Sequence, residues 1–268
     1  MNTASRITSI LKTSNLDYSI TGVQPFNLSN LKLKADIEFE LPTNLRLGHL
    51  AEKLVSELIK ASSNYQVLYE NIQLIENKIT IGELDFVIEE VTTSQVTHVE
   101  LAYKFYLYDP SLSATQLNNW IGPNRNDALH LKLEKLKQKQ FPLLQHIAAK
   151  AALPAIDIAN VNQALCLLVS LYLPYEFKGS IGAEYQKAVK GYYLNFETFK
   201  QLRSAANYYP SYHLPTKTAW GIDPAENETW NDFDSIEKQV KSSLDQKQAV
   251  LCWQKLSDTY EQFFIVWW

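Results

Sequence analysis

The sequence predicts an α/β fold, with a central mixed sheet flanked by helices and an aromatic-rich C-terminal extension. Three observations predict it. Apolar residues recur at helical spacing across 46–61. Two β-branched and aromatic runs, 83–88 and 99–105, flank a Thr-, Ser- and Gln-rich gap of hairpin type. A further helix-forming stretch and two more apolar runs follow, giving the order helix, three strands, helix, strand, which closes a sheet with a helix on each side.

Residues 1–44 are polar and mixed. Within them, 32–39 alternates (Leu33, Ala35, Ile37, Phe39) as an edge strand or lead-in to the core, until Pro42 and Asn44 break it. Leu47, Leu50, Ala51, Leu54, Val55, Leu58 and Ile59 then lie on one face of a helix. Residues 66–74 and 78–81 read as strands interrupted at Glu76-Asn77, and the hairpin runs follow. The segment 120–127, with Gly122-Pro123-Asn124, is a loop. Asn126 or Asp127 is placed to cap a helix running to about residue 150. The continuous apolar run 164–173 is a buried strand or a short helix, because length does not decide between them. Residues 190–199 suggest another strand. Beyond about 205 the texture turns aromatic, with Tyr208, Tyr209, Tyr212, Trp220, Trp230, Trp253, Phe263, Phe264, Trp267 and Trp268. The chain therefore divides into a core at 1–205, including its N-terminal lead-in, and an extension at 206–268 that packs on it. A small aromatic core explains those rings better than base stacking does.

A chain of 268 residues with 46% hydrophobic and 20% charged side chains can bury a sizeable core. Its formal net charge of −4 gives no general attraction to nucleic acid, so any such binding rests on local patches. Cys166 and Cys252 stand far apart without ligand-spaced neighbours, which excludes a disulfide scaffold or zinc knuckle and fits a reducing compartment. No apolar leader and no membrane-length span is visible, so the expected setting is cytoplasmic.

The chemistry concentrates in the hairpin. Alternate residues of a strand share a face, so Glu83 points with Asp85, and Glu100 with Lys104. Carboxylates inside half-buried strands are costly unless they are paired or bind a cation. Two of them on adjacent strands, with a lysine nearby, is the arrangement a divalent-metal phosphodiesterase needs. The bland alternative is the wet face of a hairpin. Glu52 borders the apolar stripe of the first helix and can lean over the sheet. Lys132, Lys135, Lys137 and Lys139, with Arg125 ahead of them, face only Asp127 and Glu134 in opposition. Arg125, Lys132, Lys135 and Lys139 are the candidates for phosphate contact, against the ordinary reading of a solvated helix face. Gln140, at the end of this patch, is only a weak candidate to reach the site. His49, His98, His130, His146 and His213 show no ligand spacing, and the chain has neither a nucleophile elbow nor a P-loop.

Several motifs together carry a resemblance. These are Leu47-Gly48-His49-Leu50-Ala51-Glu52, Gly82-Glu83-Leu84-Asp85-Phe86, the run from Glu100 to Leu107, Trp120-Ile121-Gly122-Pro123-Asn124, Lys190-Gly191-Tyr192-Tyr193-Leu194 and Trp267-Trp268. In this order they resemble an uncharacterised bacterial family, known as a domain of unknown function, within the PD-(D/E)XK nuclease superfamily. The resemblance covers most of the chain. It implies a restriction-endonuclease-like core and a metal-dependent nuclease. Glu52, Asp85, Glu100 and Lys104 would be its catalytic residues. Asp85, Glu100 and the backbone carbonyl of Leu101 would ligate Mg²⁺ or Mn²⁺. Nucleic acid is the partner implied. The alternative is a catalytically silent nuclease-like domain that binds nucleic acid or a protein partner, with a homo-oligomer also open. The sequence departs from the superfamily at one position. The usual Glu-x-Lys spacing would put lysine at 102, where Ala102 stands, and Lys104 lies about 13 Å along the strand from Glu100 at ~3.3 Å per residue.

Overall fold

The computed structural model describes residues 3–34, 39–42, 44–205 and 209–268. The predicted edge strand at 32–39 falls largely on 35–38, and Tyr208 on 206–208, so both lie outside the described residues. The fold is α/β, built on a ten-stranded mixed sheet with helices flanking it.

Helix α1 (Thr3–Leu11) opens the chain, where the sequence predicted only a polar lead-in. The short strand β1 (Ser14–Asn15) and the single turn α2 (Tyr18–Thr21) follow, the turn capped by the Asp17 side chain and closed by Gly22 at φ 63°. Helix α3 (Leu47–Ala61) matches the amphipathic repeat and buries Leu50, Leu54, Val55, Leu58 and Ile59. Strands β2 (Tyr65–Glu76) and β3 (Ile79–Glu90) are joined by Asn77 and Lys78, both at positive φ (50° and 65°). Two successive positive-φ residues make the tight turn whose twist suits an antiparallel hairpin. The strands predicted at 78–81 and 83–88 are thus one.

Strand β4 (Gln95–Tyr108) completes the predicted hairpin, and β5 (Trp120–Ile121) pairs with its end within the Gly-Pro-Asn loop. The helix predicted to run to about 150 is broken. Helix α4 (Leu129–Lys135) widens into a π-turn over Leu136–Gln140, tightens to a 3₁₀ segment over Phe141–Gln145, and restarts as α5 (Ile147–Ala152). Pro142 has no N–H to continue the helical ladder and its ring crowds the preceding turn. The apolar run at 164–173 is strand, β6 (Asn162–Pro174). After the single turn α6 (Ala183–Gln186), strand β7 (Val189–Asn195) stops short of the predicted 199. Asn195 Oδ1 accepts the Thr198 amide and starts helix α7 (Phe196–Ala205) instead. Strand β8 (Ser211–His213), helix α8 (Phe233–Asp245), β9 (Val250–Leu256) and β10 (Thr259–Val266) complete the chain.

The chain forms two compact, interleaved units. The first comprises residues 1–14, 104–130 and 169–268. In it β7 lies parallel to both β6 and β10, and β9 runs antiparallel between β10 and β8. Residues 209–268 therefore supply strands and a helix integral to this unit. Its core is aromatic: Phe199 sits 5.2–5.6 Å, ring to ring, from Tyr212, Phe233 and Phe263.

The second unit comprises residues 15–103 and 131–168 and carries the antiparallel meander β2-β3-β4. Leu74, Leu84, Val87, Leu144, Ala149, Leu153 and Ile158 form its core beneath the broken helix. Gly82 lets Leu143 pack closely there, since a Cβ would stand 2.3 Å from Leu143 Cδ1 and push that side chain aside. This close approach seats the 3₁₀ segment against β3, and with it the preceding π-turn.

Candidate functional site

Asp85 occupies a break in the sheet. Along β3 and β4 the register runs from Glu90↔Gln95 to Phe86↔Val99 and stops, so the next step would set Asp85 opposite Glu100. In place of a ladder bond, the Leu101 amide donates to Asp85 Oδ2 at 2.8 Å. The other neighbour is interrupted at the same level. Glu70↔Phe86 and Ile72↔Leu84 pair regularly, and Asn71 between them, facing Asp85, has φ 53°. Asparagine is among the few residues that tolerate this left-handed backbone. A strand loosened on both sides gives a carboxylate room to turn toward its neighbours rather than stand in a regular pleat.

Glu100 is fully buried on the same face, and both of its oxygens are engaged. His98 Nε2 lies 2.9 Å from Oε1, and Gln140 Nε2 donates to Oε2 at 2.7 Å. Gln140 comes from the π-turn, a local widening often found at functional sites. Its carboxamide oxygen accepts from Lys132 Nζ at 3.2 Å. A chain of polar contacts thus links Lys132, Gln140, Glu100 and His98. The Asp85 carboxyl is pushed up to about 8, first by burial, then by the negative charge of Glu100 and, more weakly, of Glu52. The Leu101 N–H and the Lys132 ammonium act in the opposite direction. Partial burial and a neighbouring like charge both favour the protonated form of Asp85 unless a cation takes the proton's place.

The donors fit a hard divalent ion. Each Glu100 oxygen keeps a second lone pair, and Asp85 offers its other oxygen. In an antiparallel strand a residue's N–H and C=O face the same neighbour, so the Leu101 carbonyl also faces β3. All are oxygen donors, and Mg²⁺ often takes only one or two carboxylates while keeping several waters. Among the described residues, no three His, Cys, Asp or Glu side chains are grouped to hold a metal ion. The set therefore rests on Asp85 and Glu100.

The other predicted residues are placed as follows. Glu52, on α3, is near enough to Asp85 to raise its pKa, and its Oε2 lies 3.0 Å from His49 Nδ1. It lines a pocket of about 310 Å³ with Glu70, Asn71 and Glu83. Lys104 belongs to the first unit, where its ammonium pairs with Asp127 at 2.7 Å. Arg125, in the same unit, pairs with Asp109 at 3.2 Å and lies over the Trp268 ring. Lys135 and Lys139 are exposed, on the broken helix that carries Lys132. Of the predicted residues, Glu52, Asp85, Glu100 and Leu101 come together, joined by Lys132 from the phosphate patch.

Sequence reasoning passed over two members. His98 was set aside for want of ligand spacing, yet it stands two residues before Glu100 and so shares its face. A His-x-Glu pair on an otherwise apolar strand was the available signal. Asn71 carried none beyond an asparagine inside a strand-length run.

No curated protein and no solved structure matches the chain. No helix among the described residues is long and apolar enough to cross a membrane. A family model described as a domain of unknown function, DUF1853, matches residues 23–264, and the chain belongs to that family.

Proposed function

We propose that this protein is a metal-dependent phosphodiesterase of the PD-(D/E)XK type acting on nucleic acid. One observation carries the reading: half-buried Asp85 and fully buried Glu100 meet at a sheet break, with the Lys132 ammonium two hydrogen bonds away from Glu100 through Gln140. Such a pair is costly to bury for structural purposes alone. A Mg²⁺ or Mn²⁺ ion, when bound, supplies activation of water and charge neutralisation at phosphate.

The chain's own residues divide the remaining work. Asp85 and Glu100 hold the cation, assisted by the Leu101 carbonyl. Glu52 is the auxiliary acid at the adjoining pocket. Lys132, steadied by Gln140, places positive charge beside the carboxylates and takes the charge-stabilising role in place of Lys104, whose ammonium is paired with Asp127. Lys135 and Lys139, exposed on the same broken helix, offer the phosphate contacts that the net charge of −4 does not provide. The buried, unpaired thiols of Cys166 and Cys252 support a reducing, cytoplasmic setting.

A second reading is a catalytically silent domain of the same fold that binds nucleic acid or a protein partner. The absence of a three-ligand cluster among the described residues favours it. Incubation of the protein with mixed DNA and RNA substrates plus Mg²⁺ or Mn²⁺, beside Asp85→Ala, separates the two. Cleavage that needs the ion and disappears in the variant supports the enzyme. Binding without cleavage in both proteins supports the silent domain.

A further inference from the structure

His98 is fully buried, as is Glu100. The two side chains share one face of β4, with Val99 between them pairing to Phe86 on the adjacent strand. Nε2 lies 2.9 Å from Glu100 Oε1, whereas Nδ1 is buried without a hydrogen-bond partner among the described residues. The ring edge rests on Phe141, centroids 5.8 Å apart at 73°. A histidine held by one nitrogen alone, in an apolar wall, is not a general hydrogen-bonding filler. Among the described residues, its one polar contact is Glu100.

The direction of that contact follows from the chain of neighbours. Lysine only donates, so Lys132 fixes Gln140 with its oxygen toward the ammonium and its NH₂ toward Glu100. Glu100 Oε2 is therefore an acceptor. If His98 carried its hydrogen on Nδ1, a buried N–H would be orphaned, which is rarer in proteins than an unused acceptor. With the hydrogen on Nε2, the ring donates to Oε1 and leaves only a bare lone pair against the apolar wall.

We infer that His98 is the positioning residue of this site, an imidazole whose Nε2–H fixes the Glu100 carboxylate so that Oε2 meets Gln140 and the remaining lone pairs are left to a divalent cation shared with Asp85. The cation half of this inference rests on the function proposed above. The positioning half does not. Partners of this kind, set behind a ligand, typically change metal affinity by about 10- to 100-fold when removed.

The test uses the full-length protein, ¹⁵N-labelled and free of divalent ions. Histidine ring spectra at neutral pH are expected to show His98 carrying a hydrogen on Nε2 that is bonded to Glu100. A ring protonated at Nδ1 only overturns the inference. The side-chain NH₂ protons of Gln140, shifted by their charged acceptor, should keep that shift in His98→Gln and lose it in His98→Leu. An unchanged shift in His98→Leu overturns positioning. Titration with Mn²⁺ alone then reads the consequence, with about tenfold weaker binding expected in His98→Leu and near wild-type binding in His98→Gln. Equal Mn²⁺ affinity in wild type and His98→Leu removes the role of His98 while the cation site stands. No Mn²⁺ binding by the wild type removes the cation site, and the ring and amide signals still decide for or against His98. The wild-type ring spectrum alone decides the tautomer even if His98→Leu does not fold.

Discussion

Gln140 and Glu100, 40 positions apart in sequence, meet in a 2.7 Å hydrogen bond that ties the π-turn to the central strand of the site. The bond satisfies a fully buried carboxylate and at its other end holds the Lys132 ammonium. Gln140→Ala is expected to destabilise the protein by about 1–3 kcal/mol, the cost of leaving a buried acceptor unmet. At roughly 2–4 °C per kcal/mol for a chain approaching this size, thermal melting should fall by several degrees. Gln140→Glu sets acceptor against acceptor and should fall further. Melting curves that rank the glutamate variant above the alanine variant would show that Glu100 does not need this donor.

The Asp85 carboxyl gives stability a pH dependence of known sign. Its folded value is raised to about 8, against an unfolded value of about 3.9. Between those values the folded chain holds a proton that the unfolded chain has released. Stability is fully present below about pH 4 and is lost as pH rises toward 8, by at most ~1.4 kcal/mol per pH unit from this group. Urea unfolding in EDTA from pH 5 to 9 should show the loss in the wild type and a flatter profile in Asp85→Asn. Parallel profiles would place Asp85 in solvent.

The parts of this site that local sequence could reveal are those with local causes. The stripe from Leu47 to Ile59 and the alternation around Asp85 and Glu100 are periodic over a few residues, and α3 and the β3-β4 hairpin follow from them. Helix α4 failed as a prediction because its lysine-rich period continues unbroken to Gln140, and only Pro142, after it, signals the change to a tighter segment. The pairing of β10 beside β7 depends on residues about 70 positions apart, Phe263 with Tyr192, and no periodicity encodes a partner at that distance. The same holds for Lys132, which reads as one lysine among several until the widened turn brings Gln140 between it and Glu100.

Lys104 and Lys132 should behave differently on substitution. The Lys104–Asp127 pair is about one-third exposed on each side, and an exposed ion pair contributes about 1 kcal/mol or less. Lys104→Met should therefore shift melting by no more than a few degrees and leave cleavage near the wild-type rate. Lys132→Met removes the ammonium whose charge acts on Asp85 and should lower cleavage by about 100-fold or more, as loss of one transition-state donor does. Rates on a labelled oligonucleotide decide it, and the reverse ranking would return the charge-stabilising role to Lys104.

Cation binding should be visible without any substrate. Glu100, fully buried, repels the half-buried Asp85 carboxylate, and Glu52 adds to that repulsion. An ion bound only by the folded chain stabilises it by RT ln(1 + [L]/Kd), about 2.7 kcal/mol at a hundredfold excess over Kd. Millimolar Mn²⁺ or Mg²⁺ should accordingly raise the wild-type melting temperature by several degrees, more at pH 8.5 than at pH 6, because at the lower pH a proton on Asp85 competes with the ion. The double variant Asp85→Asn, Glu100→Gln lacks both the charge and the competition. It should begin with a higher melting temperature in EDTA at pH 8.5 and gain nothing from the ion. Equal ion-induced shifts in the two proteins, measured by differential scanning fluorimetry, would mean that the ion binds elsewhere and not at Asp85 and Glu100.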